Sequence, residues 1–193
     1  MSIRIVLIAL LICLSPGSAH CGGKEVTVTV SESGDGFIVK ATVSPPVSPR
    51  TAWDVLVDFD HMTSILSNLT ASRVDSKNGN VLIVKQEGIA RFGIFSFPFK
   101  AEREIRLDPP RRILARNLSG TLKRMESDLQ LIPTGAHGVR IEYRAELAFD
   151  SIIAGLFGVS FLNHEVEEQF LAMVEEMKRR EARLASDPTE PKQ

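Results

Sequence analysis

The sequence predicts an α+β domain in which an antiparallel sheet wraps around one long C-terminal helix, and three features predict it. Apolar residues alternate with polar ones in successive runs from Val26 to Phe149, and turn signals separate those runs. After Gly158 the apolar period changes from two to that of a helix.

The elements follow in chain order. Val26, Val28 and Val30 alternate with Glu25, Thr27 and Thr29, Ser33-Gly34-Asp35-Gly36 turns the chain, and Phe37, Val39, Ala41 and Val43 resume the alternation. This is a hairpin with one polar face. Pro45, Pro46 and Pro49 stop the second strand, and Ala52, Val55 and Leu56 fall at helical spacing, which predicts a short helix over 50–58 and a second over 59–66. From Val74 onward, Lys77-Asn78-Gly79-Asn80, Asp108-Pro109-Pro110-Arg111, Ser119-Gly120 and Thr134-Gly135-Ala136-His137-Gly138 punctuate an antiparallel meander. Phe97, Phe99, Ala101, Ile105 and Leu107 face one way, and Lys100, Glu102, Glu104 and Arg106 face the other. Val139, Ile141, Tyr143, Ala145, Leu147 and Phe149 repeat the arrangement, so one face of the sheet is buried and the other is wet. Val159, Leu162, Val166, Phe170, Met173 and Met177 then form the stripe of a long amphipathic helix, with Glu165, Glu168, Glu175, Glu176 and Lys178 off it. The polar, proline-broken end at 186–193 reads as a loose tail.

The N-terminus has the order of a secretory signal: Arg4, an unbroken apolar run over 5–14, then Ser15-Pro16-Gly17-Ser18-Ala19. Ten apolar residues fall short of the roughly 20 needed to cross a bilayer core. Ser18-Ala19-His20 before Cys21 lacks the leucine-like residue of a lipid-attachment box. The expected organisation is a signal peptide over 1–19, one domain over 20–185 and the tail, with a mature protein in the periplasm or the medium. Removing 1–19 takes away Arg4, which moves the formal charge from −1 to −2, and Cys13, which leaves one thiol and no internal disulfide. The near-neutral charge and the mixing of basic with acidic residues exclude a general nucleic-acid field.

A hairpin, two short helices, a meander and one long C-terminal helix, in that order, resemble the helix-grip fold of the SRPBCC/START-like superfamily. The segment Ala52-Trp53-Asp54-Val55-Leu56-Val57-Asp58-Phe59-Asp60-His61-Met62 is similar to the helix entry of its polyketide cyclase/dehydrase and coenzyme-Q-binding branch. Ser96-Phe97-Pro98-Phe99 and the strand Gly138-Val139-Arg140-Ile141-Glu142-Tyr143 extend the resemblance, which covers about 26–183. It implies an apolar cavity between sheet and helix, and no catalytic constellation common to the family.

No residue set calls for a metal or a cofactor. His164 and Glu168 stand at i and i+4 without the second histidine of a zinc helix and read as a solvated face. His61 and His137 lack a serine or cysteine nucleophile placed by any motif. Asn68-Leu69-Thr70 and Asn117-Leu118-Ser119 match glycosylation acceptors and receive no function.

On the apolar face of the run from Phe97 to Leu107, one member is Arg103. With Asp108 to Arg111 as a four-residue turn, Arg103 falls opposite Arg116, and two guanidiniums share the cup. Buried charges need a carboxylate, water or an acidic ligand head. The alternative is a salt bridge to a helix glutamate or a place at the sheet rim. The first functional reading is an exported binding or carrier protein for a lipid, quinone or polyketide-like molecule. Phe97, Phe99, Met125, Leu129, Tyr143, Phe161, Leu162 and Phe170 would line its cavity, and Arg103 and Arg116 would orient a polar head. Transient membrane-surface contact is compatible with that reading. The second is a cyclase or aromatase, which needs an internal acid or base. In the expected register the inward face offers Tyr143, Ser127 and the arginines but no Asp, Glu or His, which favours binding. A third is docking of an unidentified protein partner on the charged outer face.

Overall fold

Strands β1 (Val26–Ser33) and β2 (Gly36–Val43) pair antiparallel with Ser33 opposite Gly36, so Gly34 and Asp35 alone make the turn. Gly34 takes a φ of 60°, in the left-handed region that glycine enters without a Cβ penalty. A computed structural model describes residues 24–135, 138–149 and 158–186. The expected signal peptide over 1–19, His137 of the last turn and the part of the expected tail after Ser186 lie outside the described residues.

Helix α1 (Pro49–Leu56) begins where expected, with proline at its first position and Ser48 Oγ accepting from Thr51 N at 3.2 Å. The second short helix is a 3₁₀ helix (Phe59–Ser64). Six strands follow as a meander: β3 (Leu69–Asn78), β4 (Val81–Phe92), β5 (Phe95–Asp108), β6 (Arg112–Gly120), β7 (Leu122–Gly135) and β8 (Gly138–Phe149). The chain closes with helix α2 (Val159–Ser186). All eight strands join in one antiparallel sheet of order β1-β2-β8-β7-β6-β5-β4-β3, so β8 returns beside β2 and fastens the meander to the first hairpin. This is the helix-grip arrangement that the sequence predicts.

The core gathers in two places. Trp53, Val55, Leu56 and Met62 pack with Ile105, Leu129, Ile141, Phe170, Val174 and Met177 under the C-terminal half of α2. Phe37, Val39, Met125, Leu147 and Phe149 pack with Phe161 and Leu162 under its start. Polar contacts hold α2 at both ends. Asn163 Nδ2 donates to the Val28 carbonyl at 3.1 Å. Further along, Glu181 accepts from Ser48 N at 3.2 Å, Ser48 Oγ at 3.0 Å and the Thr51 hydroxyl, and Arg180 bridges Glu176 and Asp58 at 2.7 Å each. The Glu181 carboxylate is thereby spent on fixing α1 against the last turns of α2. Among the described residues no helix is long and apolar enough to cross a membrane.

Candidate functional site

Between the two core clusters lies a cavity of ≈ 560 Å³, bounded by the helix-facing side of β4 to β8 and by α2. That volume falls within the roughly 300–1,000 Å³ of small-molecule sites. Period-two alternation supplies its floor. Phe97, Phe99, Ala101, Arg103 and Ile105 come from β5, Ala115 and Asn117 from β6, Met125, Ser127 and Leu129 from β7, and Tyr143 and Leu147 from β8. Helix α2 supplies the roof with Phe161, Leu162, Glu165, Val166, Gln169, Phe170 and Met173. The Tyr143 and Phe170 rings meet edge to face with centroids 5.4 Å apart, joining floor to roof. Nine of the expected site residues therefore line one cavity: Phe97, Phe99, Arg103, Met125, Leu129, Tyr143, Phe161, Leu162 and Phe170.

Arg116 does not. Asp108 pairs with Arg112, so the turn between β5 and β6 holds three residues, and Arg116 falls opposite Glu104. A slip of one residue moves a whole strand's side chains to the other face. Arg116 is exposed on the outer side and holds the Glu104 carboxylate with Nε at 3.0 Å and Nη2 at 2.9 Å. With Arg106 also bound at 2.8 Å, these hydrogen bonds pull the Glu104 carboxyl down from 4.5 to about 2. A bulge between Glu102 and Arg103 then takes Leu118 out of the pairing and sets Asn117, not Arg116, across from Arg103. The shared cup of two arginines is corrected to one.

Arg103 stands inward as expected. Its Nη2 donates to Gln86 Oε1, Gln86 Nε2 donates to Ser72 Oγ at 3.0 Å, and Ser72 Oγ donates to the Phe59 carbonyl at 2.6 Å. Its Nε is buried and has no partner. Burial lowers the guanidinium pKa from its ordinary value, with Tyr143 opposing, and an arginine nevertheless stays charged in a protein. The same burial raises the Tyr143 phenol above its ordinary value, against Arg103 and a hydrogen bond with Ser127.

A second polar group on the cavity wall is one that sequence reasoning placed on the solvated helix face. Glu165 is 9% exposed, lines the cavity and accepts from Asn68 Nδ2 at 3.3 Å. Burial, then the charge of Glu168, raise its carboxyl above the ordinary value, against Asn68 and the Arg91 backbone N–H. The Asn68 Oδ1 is buried without a partner. The expectation of no inward Asp, Glu or His is thus corrected. Glu165 follows Phe161 and Leu162 by four and three residues, and that spacing is the one sequence signal of its inward direction.

Solved structures share the fold. TTHA0849 from Thermus thermophilus superposes with a TM-score of 0.65 at 16% identity, covering 74% of this chain and 98% of that one. The Zhui aromatase/cyclase from Streptomyces sp. R1128 gives 0.62 at 18%, covering 74% and 94%. The STAR-related lipid transfer protein from Xanthomonas axonopodis gives 0.58 at 14%, covering 83% and 95%. No curated protein matches the sequence. The model of the family described as "Polyketide cyclase / dehydrase and lipid transport" matches residues 36–181, three quarters of the sequence, so the chain belongs to that family, within the START/SRPBCC-like superfamily.

Proposed function

We propose that this protein is an exported carrier for an apolar small molecule with an acidic or carbonyl head, held between the sheet and α2. The observation that carries the reading is the cavity itself, apolar on most of its wall, with a buried Arg103 in it that forms no ion pair with a carboxylate among the described residues. An ion buried beside a neutral amide is costly to keep, and an acidic ligand head offsets that cost. The Xanthomonas axonopodis protein of the same fold is a STAR-related lipid transfer protein, which agrees with such a cargo. Export rests on the signal-like order of residues 1–19, and a quinone or a polyketide-like molecule would satisfy the same wall.

The test is purification of the exported protein under native conditions, extraction, and mass spectrometry of what leaves with it. The expected result is a stoichiometric apolar acid or ketone. Protein that leaves the column empty and binds no added fatty acid contradicts the reading.

Glu165 favours one second reading, a cyclase or aromatase acting on a polyketide-like chain. Its carboxyl, raised by burial and lining the cavity, is an internal acid or base of the kind that such chemistry needs. Glu165→Gln would then abolish turnover of a polyketide-like substrate while leaving its binding intact. Unchanged turnover excludes that role.

A further inference from the structure

Among the described residues, two buried side-chain atoms have no hydrogen-bond partner, Arg103 Nε and Asn68 Oδ1, and both residues line the cavity. Unsatisfied buried polar atoms are rare in folded proteins and call for a specific cause. Here one atom is a donor and the other an acceptor, so a ligand that completes both must carry opposite functions. The Glu165 carboxyl stands on the same acceptor side, where it takes the Asn68 side-chain amide at 3.3 Å and the Arg91 backbone N–H.

The two poles share one wall. The backbone carbonyl of Asn68 accepts from Ile89 N at 2.8 Å, which sets Asn68 opposite Ile89 with its carbonyl oxygen close over Gly88 on β4. Gln86, which holds Arg103, lies two residues from Gly88 along the same strand and on the same face, about 7 Å along the backbone. Phe99 pairs with Gly88 and lays its ring against it, so close that a Cβ on Gly88 would stand 2.6 Å from the ring. The wall therefore presents an acceptor pole and a donor pole beside an apolar aromatic surface.

We infer that the cavity selects a two-ended ligand, with a carboxylate or carbonyl on Arg103 and a hydroxyl donating to Asn68 Oδ1, over an acid with one polar end. This rests on the carrier reading above and narrows its cargo to hydroxylated apolar acids or ketones.

The probes are 2-methylnaphthalene, 2-naphthoic acid and 6-hydroxy-2-naphthoic acid. The first has no pole, the second has one, and the third is a rigid bicycle with both. Each is titrated against wild type, Asn68→Leu and Arg103→Met by displacement of an apolar fluorescent dye. In wild type the hydroxy acid should bind about ten-fold tighter than the plain acid, the gain expected of one hydrogen bond to an otherwise unpaired buried group. Asn68→Leu should erase that gain and keep the gain of acid over hydrocarbon, and Arg103→Met should do the reverse. Ratios measured on one preparation are insensitive to its folded fraction. Equal affinity of the two acids in wild type, or a hydroxyl gain that survives in Asn68→Leu, overturns the two-ended site and leaves the carrier reading standing. Failure of the dye and of every probe to bind overturns both.

Discussion

Arg103 donates through Nη2 to Oε1 of Gln86 and leaves its Nε without an acceptor. Its first partner is a neutral amide, and among the described residues no carboxylate forms an ion pair with it. The salt bridge to a helix glutamate that could have explained an inward arginine is therefore not made. Glu165 and Glu181 are engaged elsewhere, with Asn68 and with Ser48 and Thr51.

Replacing Arg103 by Met tests what that charge is for. The orphaned Gln86 oxygen costs about 1–3 kcal/mol, and release from burying an ion offsets much of it. The melting temperature should change by a few degrees at most while affinity for a fatty acid falls at least ten-fold. A stability loss of about 3–5 kcal/mol with unchanged affinity in the folded fraction would assign Arg103 a purely structural role.

Arg116 provides the counter-test, because the three-residue turn and the bulge place it outside. Arg116→Met should leave affinity for every ligand of the cavity unchanged. Lost binding in a fully folded variant would mean that β6 runs in the other register.

The Arg116 ion pair also has a pH signature. Glu104 titrates lower in the folded chain than in the unfolded one, so its contribution is complete above 4.5 and lost as pH falls toward about 2. The difference in melting temperature between wild type and Glu104→Gln should be largest at neutral pH and shrink across that window. A difference that stays constant down to pH 2 contradicts the pairing.

Glu165 should behave oppositely. Its carboxyl is raised in the folded state, so the folded chain holds the proton more tightly, and stability is greatest below the ordinary value of 4.5 and declines as pH rises through the raised one. Glu165→Gln should remove that decline and leave the protein at least as stable at neutral pH, as read by thermal melts across pH 4 to 8. A variant less stable at pH 8 than wild type would show that the ionised carboxylate is wanted.

Gly88 is the position where the wall tolerates least. A Cβ there would lie 2.2 Å from the Asn68 carbonyl oxygen, which is backbone and cannot swing away, and 2.6 Å from the Phe99 ring. Gly88→Ala should cost about 1–3 kcal/mol in urea unfolding and weaken ligand binding by displacing Phe99. Wild-type stability in this variant would contradict the close approach.

Much of this was legible from sequence, and the misses share a cause. Alternation named the inward residues of β5, β7 and β8 because a strand's faces follow from period two alone. Facing partners on β6 depended on whether the Asp108-Pro109-Pro110-Arg111 segment turned over four residues or three, and on a bulge at Leu118, which no local pattern announces. The same one-residue uncertainty put Arg116 inside. Glu165 was hidden differently: it sits among His164, Glu167 and Glu168, which made it look solvated, although its spacing from Phe161 and Leu162 set it on the roof of the cavity. Asn68 read as part of a glycosylation acceptor because its importance comes from Glu165, 97 residues away.

That this cavity is a ligand site and not merely a loosely filled core is tested most directly by a fluorescent fatty acid titrated into wild type and into Ala115→Phe. Ala115 lies on the cavity floor opposite Ile105, so a phenyl ring there occupies ligand space. Wild type should take up one fatty acid per chain with the blue-shifted emission of an apolar surrounding, and Ala115→Phe, folded and of similar melting temperature, should take up none. Equal uptake by both proteins, or none by wild type, would contradict the assignment.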